Sequence, residues 1–303
     1  PSNEERSPIT LRRFGDAQTM ALAFEAGELD LAFGLPVVGL SRLRANPELQ
    51  VKSFPVGYQY FAFLNTTRPV LGDVRVRQAI DLAIHRADLV AAINGGTPAT
   101  GAFAPYFPFA PKKPRGTDAA GAEAFLDEAG WTRGDDGVRT RDGAALRLKL
   151  VTYPQRPDLV TMMPVIKAAL AKIGIATDTQ IVENANEAAA EGDFDIFLWA
   201  QHTAPSGDPA FFFNSMLKSD GALNFARYRS ADFDRIIAGF ATADTAEERN
   251  AIALEAQLQL FQDVPVTFLV SPEWHVGVSK RLADYEPWGS DYHVIRAEMG
   301  EVR

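Results

Sequence analysis

Between residues 146 and 199 the chain alternates short apolar runs with helical patterns. LRLKLVTY (146–153), 175–182 and 194–199 read as strands, and 158–173 and 185–191 read as helices. The longer helix closes on A-L-A-K-I-G-I, with Gly174 as its stop. Strands separated by helices of this length predict an α/β domain.

A second joint lies upstream. FAFLNTTRPVLGDVRVRQAID (61–81) is an apolar, aromatic strand, a polar loop with Pro69 and Gly72, and an amphipathic helix. Asp73 can accept from the free first-turn N–H groups and so sets where that helix begins. Further helices are expected at 16–27, 74–84, 87–94, 118–129, 208–217, 231–241 and 245–261. Further strands are expected at 29–33, 50–55, 59–64, 265–270 and 274–279. Residues 98–116 (PATGAFAPYFPFAPKKPRG) read as a long ordered loop, because so many rings need a surface to lie on. Neither an internal repeat nor a low-complexity run appears.

Composition narrows the function. The chain has 303 residues, a net charge of −9 and no cysteine. The charge argues against nucleic acid and against an anionic membrane surface as partner. The missing thiols exclude disulfides, thiolate catalysis and cysteine-based zinc sites. No apolar run reaches the ~20 residues that span a bilayer. The chain begins at Pro1 without a signal peptide, so it is expected to be processed or, preferably, a piece of something longer.

Several phrases carry a resemblance: Asn65 followed by D-x-R-V-R-x-A at 73–79, A-G-E-L-D at 26–30, and A-x-x-F-L-D-E-A-G-W at 122–131. They are similar to the C-terminal portion of the extracellular solute-binding proteins, family 5, of dipeptide, oligopeptide and nickel ABC importers. The resemblance implies an α/β, periplasmic binding protein-like (type II) two-lobed fold. Residues 1–64 and 263–303 would be parts of lobe I, and 65–262 a complete lobe II. It implies hinges near Asn65 and Gln262, a long further segment ahead of Ile9, and a periplasmic or extracellular location. The implied function is capture of a small solute by lobe closure and delivery to an ABC permease, with no enzymatic step, no cofactor and a monomeric state.

The candidate site residues are few. His202 reads as part of a strand-end loop, WAQHTAPSGDP, at the carboxyl edge where open α/β sheets bind ligands. His293 lies in the aromatic tail. Trp199 either stacks on a ligand or is a core indole. Tyr58 and Tyr60 share one strand face, which is either core or cleft wall. Asn224 and Tyr228, in LNFARYRSADFD, resemble cleft positions of the family, whereas Asp234 reads as structural. His85 reads as a helix-end cation, and His275 as structural or exposed. Tyr106 and Phe107 form a lip or pack on their own domain. The adjacent acid pairs Asp135-Asp136 and Glu247-Glu248 point apart and read as solvated.

The stretch IFLWAQHTAPSGDPAFFFNSML is similar to the nickel branch, with aromatic, Ala-Pro and Asp-Pro in order. That branch's metal-contacting histidine follows the Asp-Pro pair, and here no histidine lies between Pro209 and Gly221. His202 and His293 are the imidazoles left to meet nickel as a transported ligand. A short peptide is the other solute. Two different readings compete: a ligand-sensing domain of a transcription regulator, and a hydrolase pairing His202 with Asp208. No G-x-S-x-G, G-x-G-x-x-G or P-loop supports an enzyme.

Overall fold

The computed structural model describes residues 8–289, 293–296 and 299. The chain divides into two compact units, Pro1–Val56 with Pro272–Arg303, and Gly57–Ser271. The expected breaks at 64/65 and 262/263 therefore shift outward. Asn65 is the reason at one end. It is buried and donates to the Gly192 and Phe194 carbonyls at 3.0 and 3.3 Å. Its oxygen accepts from the Thr67 N–H and hydroxyl at 3.2 and 2.8 Å, so it is locked inside the larger unit.

The first unit begins with α1 (Ala17–Glu25), β1 (Leu31–Phe33), α2 (Leu40–Ala45) and β2 (Leu49–Pro55). In the second unit β3 (Tyr58–Leu64) leads to α3 (Val74–Ala83), α4 (Arg86–Ile93), β4 (Thr97–Pro98) and α5 (Ala119–Glu128). A polar meander follows: β5 (Thr132–Arg133), β6 (Arg139–Arg141) and β7 (Ala144–Ala145). Then come β8 (Arg147–Thr152), α6 (Pro157–Lys172), β9 (Ala176–Ile181), α7 (Ala185–Glu191) and β10 (Ile196–His202). The unit closes with α8 (Ala210–Met216), α9 (Ala231–Ala238), α10 (Ala246–Asp263) and β11 (Val266–Ser271). Strand β12 (Glu273–Ser279) returns to the first unit.

The first unit is an antiparallel sheet ordered β1-β12-β2. Its small core gathers Phe24 of α1 with Ala32, Leu40 and Leu43. Gly277 of β12 lets the Phe24 ring approach the strand closely, since a Cβ there would overlap that ring. Helix α1 starts where expected: Asp16 accepts the Thr19 N–H at 2.8 Å.

The second unit is built on a six-stranded sheet ordered β4-β11-β3-β10-β8-β9. Strands β8, β9 and β10 are parallel, while β3 runs antiparallel to β10 and β11. Phe61, Phe63, Phe197 and Leu198 are fully buried, the continuous apolar pattern of strands covered on both faces. Edge-to-face rings fill one core: Phe61 meets Phe212 at 5.6 Å, and Phe103 meets Phe109 at 4.7 Å. Each buried ring contributes about 1.5–3 kcal/mol. Phe103 and Phe109 come from the Pro-rich loop, which is why so long a loop stays ordered.

Two buried polar knots fix the helices. Arg77 of α3 donates to the Asp263 and Val264 carbonyls at 2.9 and 3.1 Å, a cation closing the C-terminus of α10. Asp81 of α3 pairs with Arg86 and Arg115 and accepts from Thr267. Burial alone would raise its carboxyl pKa, but the two guanidiniums hold it below the usual range.

Two residue expectations need correction. His202 belongs to β10 rather than to a loop after it, because β3 pairs along the whole strand, with Tyr58 opposite His202. His85 does not end a helix. It is the N-cap residue of α4, with its Nδ1 2.8 Å from Asp88. Helix α2 was not expected from the sequence, whereas the polar, hairpin-like stretch expected after Trp131 and up to Gly143 is the β5–β7 meander.

Candidate functional site

Spatial order and chain order disagree in the second unit. The chain runs β8, β9, β10, but β8 lies between β9 and β10. The connection after β9 must cross to the other side of β8, and open α/β sheets bind ligands beyond the carboxyl ends at such a switch. A cavity of about 600 Å³ lies there.

Each wall follows from a strand end. After β8 the chain supplies Tyr153, Gln155 and Arg156. After β9 it supplies Glu183, Asn184 and Asn186. Strand β10 contributes Trp199 and Gln201, and Tyr58 comes from the start of β3. Gln155 donates to the Glu183 carbonyl at 3.0 Å, tying the two loops together. Asn184 caps α7, accepting the Glu187 N–H at 3.3 Å.

The aromatic wall is rigid. Trp199 is 7% exposed and meets Tyr153, Phe225 and Phe197 at 5.4, 5.4 and 5.5 Å. The two sequence readings of Trp199 are thus combined, as the indole belongs to the core and also edges the cavity. The Tyr153 hydroxyl accepts the Ala200 N–H at 3.2 Å. Burial pushes its pKa up, so it stays a neutral phenol. Arg156 stands over the Tyr58 ring, 5.1 Å from its centroid. Tyr60 faces the same side of β3 but is buried, and its hydroxyl donates to Asp158 at 2.9 Å. Burial raises the Asp158 carboxyl pKa, against the Tyr60 hydrogen bond and the Arg156 charge.

The remaining expected residues lie elsewhere. His202 is 6% exposed and packs its ring 5.3 Å from that of Tyr58, but is not on the cavity wall. Asn224 donates to the Lys218 and Tyr228 carbonyls at 3.1 and 2.7 Å and accepts the Tyr228 N–H at 3.1 Å. The Tyr228 hydroxyl donates to Asp263, and burial drives its pKa up. Both side chains are spent inside the unit, away from the cavity. His293 is exposed in the first unit, its ring 5.7 Å from Trp288. Among the described residues no three His, Asp or Glu gather as a metal would need. Asp208, the acid of the hydrolase reading, gives both oxygens to Arg249 at 2.8 and 2.7 Å.

Sequence reasoning missed Tyr153, Gln155, Arg156, Glu183, Asn184, Asn186 and Gln201. The signal was present, because the loops after 146–153 and 175–182 obey the same carboxyl-end rule that was applied to His202 alone.

Known proteins share this architecture. Oligopeptide-binding protein AppA of Bacillus subtilis (strain 168) is 24% identical over 294 residues, covering 92% of this chain and 53% of the relative. The nickel-binding periplasmic protein of Escherichia coli (strain K12) is 32% identical over 222 residues, covering 69% of this chain and 42% of the relative. The crystal structure of NikA from Brucella suis in complex with Fe(III)-EDTA superposes with a TM-score of 0.81 at 25% identity. It covers 91% of this chain and 58% of that one. The chain thus spans about half the length of the relatives it matches. No described helix is long and apolar enough to cross a membrane. The sequence model of the bacterial extracellular solute-binding proteins, family 5 Middle, matches residues 6–224, and the chain belongs to that family.

Proposed function

We propose that this protein captures a short peptide in the cavity at the carboxyl edge of β8, β9 and β10 and hands it to an ABC permease. The observation that carries the reading is the cavity's composition: three aromatic rings, one guanidinium, one carboxylate and four amide side chains. Amide side chains both donate and accept, so they match a peptide backbone in either sense. Water bridges fill imperfect contacts, which lets such a site tolerate many side chains. Capture is by closure of two lobes, the movement falling where the chain crosses between its units, at 56/57 and 271/272. The protein acts as a monomer in the periplasm or outside the cell and catalyses nothing.

A nickel chelate is the second reading, favoured by the 32% identity to a nickel-binding relative. In that reading His202 and His293 are the imidazoles to test, with nickel as cargo. Calorimetric titration with trialanine and with nickel–histidine separates the two. Binding of trialanine alone supports the peptide reading. Binding of nickel–histidine alone, weakened by His202→Ala, supports the second. Binding of neither overturns both.

A further inference from the structure

The polar knot around Asp81 carries more positive charge than negative. The Asp81 carboxylate gives one oxygen to Arg86 and Thr267 and the other to Arg115 Nε. Arg86 donates through its other nitrogens to the carbonyls of Phe268, Asp81 and Ile84 at 2.6, 3.3 and 3.4 Å. Arg115 is not used up in this way. Its guanidinium lies 5.0 Å from the Phe261 ring centroid, and its two Nη atoms meet no acceptor among the described residues. One buried carboxylate therefore serves two guanidiniums, of which the Arg115 side chain is only 26% exposed. Charge held out of water without a full counter-charge is unfavourable, and a bound anion would offset it.

Arg115 opens into a second cavity, of about 380 Å³. Its walls are the start of α4 at 85–87, Pro98 of β4, and residues 114–117. Strand β4 is the margin of the six-stranded sheet opposite β9, and this cavity shares no lining residue with the one at β8, β9 and β10. Pro98, Pro114 and Ala87 give it apolar sides. Lys112 and Lys113 are exposed just before it and have no carboxylate partner among the described residues. Three cations thus fall within four residues of a chain whose net charge is −9. Asp88, in the first turn of α4, is held by His85 Nδ1 at 2.8 Å.

We propose that this cavity binds a small carboxylate with an apolar body, the carboxylate on the Nη edge of Arg115 and the body against Pro98 and Pro114. A guanidinium presents paired N–H groups that match the two oxygens of a carboxylate. Asp81 and the Phe261 ring hold the guanidinium before the ligand arrives, which lowers the ordering cost of binding. The volume lies within the ~300–1,000 Å³ of small-molecule sites. The two lysines raise the local concentration of anions. Once bound, the ligand balances the charge that joins α3, α4 and the Pro-rich loop, and so stabilises the larger unit.

The test is calorimetric titration of the whole chain at constant ionic strength with three probes. Benzoate carries ring and charge, benzamide the ring alone, and inorganic phosphate the charge alone. Benzoate is expected to bind once per chain, about tenfold tighter than either of the others. It should also raise the melting temperature with its concentration. Arg115→Gln should erase the preference for benzoate over benzamide. Ala87→Glu leaves Arg115 in place and suits the first turn of α4, but sets a carboxylate in the cavity wall, so the folded variant should lose benzoate. Arg156→Ala, in the other cavity, should leave benzoate binding unchanged. Equal affinity for benzoate and benzamide, or binding of neither, overturns the site. A preference lost in Arg156→Ala but kept in Ala87→Glu puts the anion in the other cavity and overturns it equally. Phosphate bound as tightly as benzoate, and lost in Ala87→Glu, overturns the apolar body and upholds the anion.

Discussion

Asn224 satisfies both sides of its amide within residues 218–228, and that decides its role. A buried amide with three hydrogen bonds is costly to truncate, because each orphaned partner loses about 1–3 kcal/mol. Asn224→Ala should lower the urea midpoint by an amount equivalent to about 3 kcal/mol. Solute affinity of the folded protein should stay unchanged. His275 gives the matching pH case. Its Nδ1 lies 2.7 Å from the Ser53 hydroxyl, and burial, with the Arg44 charge, lowers its pKa from 6.5 to about 4. A histidine held neutral in the fold contributes stability that is fully present above pH 6.5 and is lost as pH falls towards about 4. Thermal unfolding across that window should show a decline that His275→Gln reduces. A single sequence could name Asn224 as polar and His275 as one of four histidines. It could not show which partners would satisfy them, because the backbone groups around Asn224 and the Ser53 hydroxyl beside His275 are placed by folding.

The regular elements were legible where the pattern is long. Helices α3, α6 and α10 and strands β3, β8 and β9 follow the apolar period and the caps, and Thr245 with Glu248 forms the capping box that starts α10. Helix α2 escaped notice because it has six residues and begins after Gly39 at φ 95° without a side-chain cap. Strands β5 to β7 have two or three residues each, too few for a period to set their limits. The extent of β10 was invisible because its last residues, Ala200 to His202, are fixed by pairing with β3, a contact remote in sequence. Close approaches between elements make the sharpest tests. A Cβ on Gly57 would lie 2.5 Å from the His202 ring. Gly57→Ala should therefore destabilise the larger unit by about 1–3 kcal/mol. Gly277→Ala should do the same to the smaller unit through the Phe24 ring. Denaturation midpoints check both, and an unshifted midpoint would mean the rings move aside freely.

At the scale of the molecule, family and fold were legible from local phrases, whereas the limits of the two units were not. Phrases such as D-x-R-V-R-x-A mark a joint, but the division at 56/57 and 271/272 depends on which sheet a strand enters. Strands β3 and β11 enter the six-stranded sheet, so the larger unit keeps them. The same sheet brings three strand ends separated by tens of residues to one edge, and this explains why most cavity residues were not named in advance. A solute that binds the folded form alone should raise the melting temperature with its concentration.

The most direct test is native mass spectrometry of the purified chain and of its Trp199→Ala, Arg156→Ala double variant. The expected result is one short peptide or chelate per unsubstituted molecule, absent from the folded double variant. A solute retained in equal amount by the double variant would contradict the assignment of this cavity.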